Sequence, residues 1–293
     1  VFAAAPEVLI KRRGDGTIDS GPPSLPPDLV AATLEKLPVL RTGYDNYALE
    51  SYTAFTEKKA DGHISKHTRF QVSLPGLVSA MAMVTTAFQS VLEPRYEAAL
   101  VQSLQSIQET IPHSELAVQI DAAIEIAFIE GAGPWPPYFE PIFDGIIERL
   151  SRIANKVAED VEIGFHLCYG DVGHRHFVEP KDLGLLVRVA NALHKKIQRP
   201  IQWIHVPVPK GRKDLEYFSP LKELDWKVPE IYLGLVHPND LEGTKERIAM
   251  AQKVVTEFGV ATECGMGRTP PEDFDTIMDI LNAVSTPIST FSE

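Results

Sequence analysis

Six short β-rich runs, separated by longer stretches with helical spacing, predict an α/β fold of parallel strands joined by crossover helices. At 293 residues the chain suits a single (β/α)8 barrel of the TIM type, which typically takes about 250 residues. A second observation points the same way: polar residues able to do chemistry collect at the C-terminal ends of those runs. That end carries the site in parallel α/β folds, because its loops vary without disturbing the core.

In chain order, the segment Arg13 to Pro27 is rich in Gly, Pro, Ser and Asp and predicts a surface loop ahead of the main core. The six strands are expected at Arg69 to Leu74, Leu116 to Asp121, Glu162 to Cys168, Ile201 to His205, Ile231 to His237 and Val260 to Cys264. Helical spacing of apolar residues marks Pro94 to Ile111, Phe139 to Val157, Pro180 to Ile197, Leu241 to Phe258 and Pro271 to Val284. Closing eight strands requires two more, one expected in Val39 to Ala54 and one in or before the N-terminal segment. One domain over residues 1–293 is expected, with 1–67 an N-terminal segment and loop excursion whose share in the barrel the pattern leaves open. The chain opens Val-Phe-Ala-Ala-Ala-Pro6 without an initiating methionine, so part of the natural N-terminus is expected to be missing. No fixed-period repeat favours a solenoid.

Composition narrows the partners. Hydrophobic content of 44% and charged content of 23% are ordinary for a globular chain with a substantial core. A net charge of −12 argues against a broad nucleic-acid surface. The basic clusters at Lys195 to Arg199 and Lys210 to Lys213 are read as a solvated helix end and loop. No run approaches the roughly 18 apolar residues of a membrane helix, and no signal peptide is evident. Two cysteines do not make a disulfide framework, so a reducing, cytoplasmic setting is expected.

Those two cysteines carry the strongest signal. His166 and Cys168 close the run Val161 to Phe165, and Cys264 closes Gly259 to Glu263. Residues two apart on a strand share a face, so His166 and Cys168 can reach one ion, and thiolate with neutral imidazole is a zinc-type donor set. Burial as apolar filler is the competing reading of both cysteines. The remaining strand ends offer Ser73, Asp121, His205, His237 and Glu263.

Phe165-His-Leu-Cys-Tyr-Gly170, Gly234-Leu-Val-His-Pro238, Gln119-Ile-Asp121 and Thr262-Glu-Cys-Gly-Met-Gly-Arg268 together resemble the catalytic C-terminal barrel of the cobalamin-independent methionine synthase family. That barrel belongs to the fold group shared with uroporphyrinogen decarboxylase. The resemblance runs from about Thr68 to the C-terminus. It implies zinc held by a His-x-Cys strand end, a glutamate on the next strand and a cysteine in a later Cys-Gly segment. His166, Cys168 and Cys264 match three ligands, and His205 stands where the glutamate is expected, making the site less negative. Glu263 is the poorer ligand, because it adjoins Cys264 and neighbouring strand residues face opposite ways. The resemblance further implies a small-molecule thiol acceptor and a methyl donor, with His237 in proton transfer and Asp121 on the substrate's amino group. Hydrogen-bonded loop histidine and loop cap are the plain alternatives for these two. Ser73 is a weaker substrate contact that also suits a turn, and Arg268 suits either a substrate carboxylate or a structural ion pair.

The loop Asp171 to His176 is expected to face substrate rather than to ligate metal, and the aromatic stretch Gly131 to Phe139 is expected as a lid or as rim packing. Gly265 and Gly267 do not make a dinucleotide fingerprint. The function expected is zinc-dependent methyl or alkyl transfer to a thiol. The alternatives are a metal-independent lyase, decarboxylase or cyclase on the same fold, or a ligand-binding pseudoenzyme; the family's large N-terminal half has no counterpart in this sequence.

Overall fold

The computed structural model describes residues 5–12, 18–133, 135–170 and 175–285. The chain divides into two compact units, residues 1–163 with 196–200 and residues 164–195 with 201–293.

In the first unit, the N-terminal segment forms a two-residue antiparallel pair, β1 (Lys11–Arg12) with β2 (Ile18–Asp19), followed by helices α1 (Pro27–Glu35) and α2 (Tyr44–Ala60). Arg13 to Thr17 of the expected surface loop lie outside the described residues. One strand expectation is thereby narrowed and one corrected. Among the described residues of the N-terminal segment, β1 and β2 pair antiparallel with each other and add no parallel strand there; a strand before this segment would lie outside the described residues. Val39 to Ala54 is mostly helix, since Ala48, Leu49, Glu50, Ala54, Glu57, Lys58 and Lys59 favour that state. Its aromatics serve packing rather than a strand: Tyr52 and Phe55 lie 5.5 and 5.3 Å, centroid to centroid, from Phe70.

Strands β3 (Phe70–Pro75) and β4 (Leu116–Ala122) pair in parallel, from Phe70 opposite Leu116 to Pro75 opposite Asp121. Alternation sorts their faces: Val72, Leu74, Val118 and Ile120 are buried, whereas Gln71 and Ser73 are exposed and Gln119 and Asp121 half-buried. The helices here are α3 (Leu77–Met81), α4 (Thr86–Thr110), α5 (Ile124–Ile129) and α6 (Ile142–Ala154). The expected start at Pro94 falls inside α4, because Phe88 and Leu92 join Ala5, Val8, Leu34, Leu37, Met81 and Val84 in one apolar cluster that supports the earlier turns.

In the second unit, β5 (Glu162–Leu167), β6 (Trp203–Pro207), β7 (Glu230–Val236) and β8 (Gly259–Thr262) pair in parallel in chain order. Their helices are α7 (Gly184–Lys196), α8 (Leu215–Phe218), α9 (Leu241–Ala251) and α10 (Pro271–Val284). Ile163, Phe165, Leu167, Ile204, Val206, Leu233 and Leu235 are buried. Gly164 is required by its neighbour, since a Cβ there would stand 2.1 Å from the Trp203 ring. All six expected strands are present within two residues of their expected ends, and the class is α/β with parallel strands alternating with helices. Among the described residues no helix is long and apolar enough to cross a membrane.

Candidate metal centre and its pocket

Strand pairing in the second unit sets the site. His166 on β5 is the register partner of His205 on β6, and their rings lie 4.5 Å apart. Cys168 follows two residues after His166 and is buried, while Cys264 sits two residues beyond β8 in a turn held by Thr262 Oγ1 donating to the Cys264 carbonyl at 2.6 Å. Gly234 on β7 admits that turn: a Cβ there would lie 2.7 Å from the Glu263 Cα.

One donor atom each from His166, Cys168 and Cys264 lies within 4.8 Å of the other two. His166 Nε2 is 3.5 Å from Cys264 Sγ. Zinc bonds of about 2.0–2.1 Å to nitrogen and about 2.3 Å to sulfur give a tetrahedral N···S edge of roughly 3.5 Å, so this spacing fits the ion. His166 Nδ1 is buried with no hydrogen-bond partner, an arrangement costing roughly 1–3 kcal/mol when nothing compensates it. Burial, and secondarily His205, pushes the His166 pKa well below its usual value. Burial takes His205 to about 4. Both imidazoles are therefore neutral near pH 7, the form that ligates metal.

His205 lies outside the three-donor cluster. Its Nε2 is 2.9 Å from the Thr262 carbonyl oxygen, which can only accept, so Nε2 carries the proton and Nδ1 the lone pair. His237 is buried just past β7, with Nε2 2.9 Å from the Val208 carbonyl oxygen. The same reasoning leaves its Nδ1 as the acceptor, 3.8 Å from Glu263 Oε2. Burial lowers the His237 pKa. Glu263, as its adjacency to Cys264 predicts, points elsewhere than the donor cluster: Oε1 makes an ionic contact with His176 Nε2 at 3.4 Å. Chiefly through Glu263, the His176 pKa rises to about 9.

His176, Glu179, Lys210, His237, Glu263 and Cys264 all line one pocket of about 580 Å3, together with Arg175 and Asp273. Lys210 is exposed, as its place in a solvated cluster predicts, and it lies at the lining of this pocket, as does His176. Their signal was position, just after the ends of β6 and β5. Arg268 is exposed on a 3-10 turn and is not among the lining residues. Asp171 to His174 lie outside the described residues.

The other two predicted site residues belong to the first unit. Asp121, at the end of β4, accepts from Gln119 Nε2 at 2.9 Å, and burial raises its carboxyl to about 6. Ser73 is exposed, 3.4 Å from Gln71 Nε2. The expected aromatic lid is pinned down: Tyr138 donates to Glu93 at 2.6 Å, and the Arg149 guanidinium stacks 3.7 Å from the Phe139 centroid. Trp135 and Tyr138 line a separate pocket of about 820 Å3 in which no charged residue is found among the described residues.

No family model matches the sequence, and no curated protein matches it. Among solved structures, the B12-independent methionine synthase from Shewanella sp. W3-18-1, in complex with selenomethionine, aligns at a TM-score of 0.56 and 16% identity over 83% of this chain. The two share a fold. This chain covers 65% of the length of that one. A candidate vitamin-B12-independent methionine synthase from Listeria monocytogenes aligns at a TM-score of 0.46 and 17% identity, over 74% of this chain and 64% of the other.

Proposed function

We propose that the protein is a zinc-dependent transferase that moves a methyl or alkyl group to a small-molecule thiol. The observation that carries this reading is the convergence of His166, Cys168 and Cys264, three zinc-type donors brought within 4.8 Å from two segments nearly 100 residues apart. Zinc in such a donor set supplies a Lewis acid that keeps a bound thiol deprotonated at neutral pH. The neutral His166 offers a lone pair, and His205 is the proposed fourth donor through Nδ1. His237, held by Val208, takes up a proton at Nδ1. Cys264, one of the three donors, lines the same pocket as His237, which supports entry of the acceptor there.

Asp121, in the first unit, keeps its proposed role as the carboxylate for an ammonium group; with a pKa of about 6 it is mostly ionised at pH 7. Ser73 is exposed and remains a proposed substrate contact. For the carboxylate of an acceptor, Lys210 and Arg175 are better placed than Arg268, because they line the pocket. The fold shared with a methionine synthase agrees with this reading.

The test is zinc per chain by elemental mass spectrometry on protein purified without chelator or metal resin, followed by an alkylation assay with a panel of thiols. Near-stoichiometric zinc and a methylated thiol product are expected. Protein that neither carries zinc nor takes it up on reconstitution sinks the reading in favour of a metal-independent enzyme or a pseudoenzyme.

A further inference from the structure

Glu263 stands one residue before the thiol of Cys264, yet its carboxylate serves a different group of side chains. Oε2 is 3.8 Å from His237 Nδ1 and Oε1 is 3.4 Å from His176 Nε2. Each imidazole is engaged on its other side as well, His237 Nε2 by the Val208 carbonyl oxygen at 2.9 Å and His176 Nδ1 by Glu179 Oε2 at 3.3 Å. A carbonyl oxygen only accepts, so the nitrogen left to gain a proton on His237 is the one that faces Glu263. All four side chains line the pocket that Cys264 also lines. Glu263 side-chain exposure is 23% and that of His237 is 10%, so solvent screens their attraction only partly.

We propose that Glu263 is a positioning residue whose carboxylate, in ionic contact with His176 on one side, stabilises a proton at Nδ1 of His237 and so makes that imidazole the base of the pocket. This deepens the proposed function and rests on it for the reaction served. The physical reason is charge: an imidazolium formed in a half-buried pocket is costly unless an anion adjoins the protonated nitrogen. Gly234 keeps the arrangement possible, because a side chain there would push the Glu263 backbone away.

The experiment uses the full chain with 15N-labelled histidine. His237 and His176 signals are titrated by NMR in wild type, Glu263→Gln and Glu263→Asp, with His237→Gln and His176→Gln spectra for assignment. Zinc per chain is measured on the same samples. Glu263→Gln is expected to lower the protonation constants of both histidines at least tenfold, about one pH unit, with zinc content unchanged. Glu263→Asp is expected to recover part of the loss. Titration curves in Glu263→Gln that coincide with wild type overturn the inference, whatever the melting temperature does. If the Gln variant does not fold, the Asp variant decides, because withdrawing the charge by one methylene must still move both curves. In the thiol assay, Glu263→Gln lowers kcat at unchanged KM. A wild type without thiol turnover ends the functional reading, and the imidazole titrations still decide the role of Glu263.

Discussion

The strand ends of the two units use the same alternation of faces for opposite chemistry. In the first unit, Gln71, Ser73, Gln119 and Asp121 form a polar row, and the carboxyl among them is pushed up by burial to about 6 while retaining one amide donor. In the second, Cys168, Cys264 and two neutral imidazoles gather, and the carboxylate of Glu263 is turned toward His176 and His237. A hard, protonatable acid at one set of ends and sulfur and imidazole donors at the other show that a strand fixes where a side chain points, while the residue types decide what that position does.

Four perturbations, from the largest effect to the smallest, break or sharpen this contrast. Arg247 is fully buried in α9 and donates to the carbonyls of Leu235 at 2.9 Å and Lys210 at 2.7 Å and to Asp240 at 2.8 Å, tying the end of β7 to the loop after β6. Arg247→Met is expected to cost about 3–5 kcal/mol in urea unfolding, as losing one partner of a buried ionic network does. A loss below 1 kcal/mol makes the clamp dispensable. Cys264→Ser removes a donor outright, and its loss of zinc affinity is expected to exceed the roughly 10–100-fold typical of losing an outer hydrogen-bond partner. Competition with a chromogenic chelator reads it, and an unchanged constant removes Cys264 from the centre.

Gly234→Ala must move the Glu263 backbone, and overpacking of this kind costs about 1–3 kcal/mol. Thermal unfolding equal to wild type shows that the turn yields freely. Asp121→Asn tests the first unit. Wild-type stability is reduced as pH rises from the unfolded value of 3.8 to about 6, because the folded state holds the proton more tightly, and the penalty is complete above that window. Asn carries no such penalty, so the variant is expected to gain roughly 2–3 kcal/mol at pH 7 relative to its difference from wild type at pH 3.5. Parallel stability curves across the window deny Asp121 its burial.

The six parallel strands were legible because Val, Ile, Leu and Phe runs stop at turn signals, and α10 was legible to the residue, Pro271 to Val284, because a proline opens it and acidic residues follow. Helix α2 was not, since Tyr52 and Phe55 carry β propensity that packing on Phe70 overrides. At the site, the pairing of His166 with Cys168 followed from period two alone. The engagement of His205 with Thr262 and the position of Glu263 between His176 and His237 depend on segments that meet only after folding.

The sequence by itself determined the six parallel strands from Phe70 onward and the chemistry-bearing residues at their ends, because those rest on local periodicity and on residue chemistry. Tertiary structure alone decided that Cys264 comes 3.5 Å from His166 across 98 residues, which nitrogen of each histidine keeps its lone pair, and that Arg268 stays outside while Lys210 lines the pocket. Those outcomes depend on register between strands and on burial, which no local stretch of sequence contains.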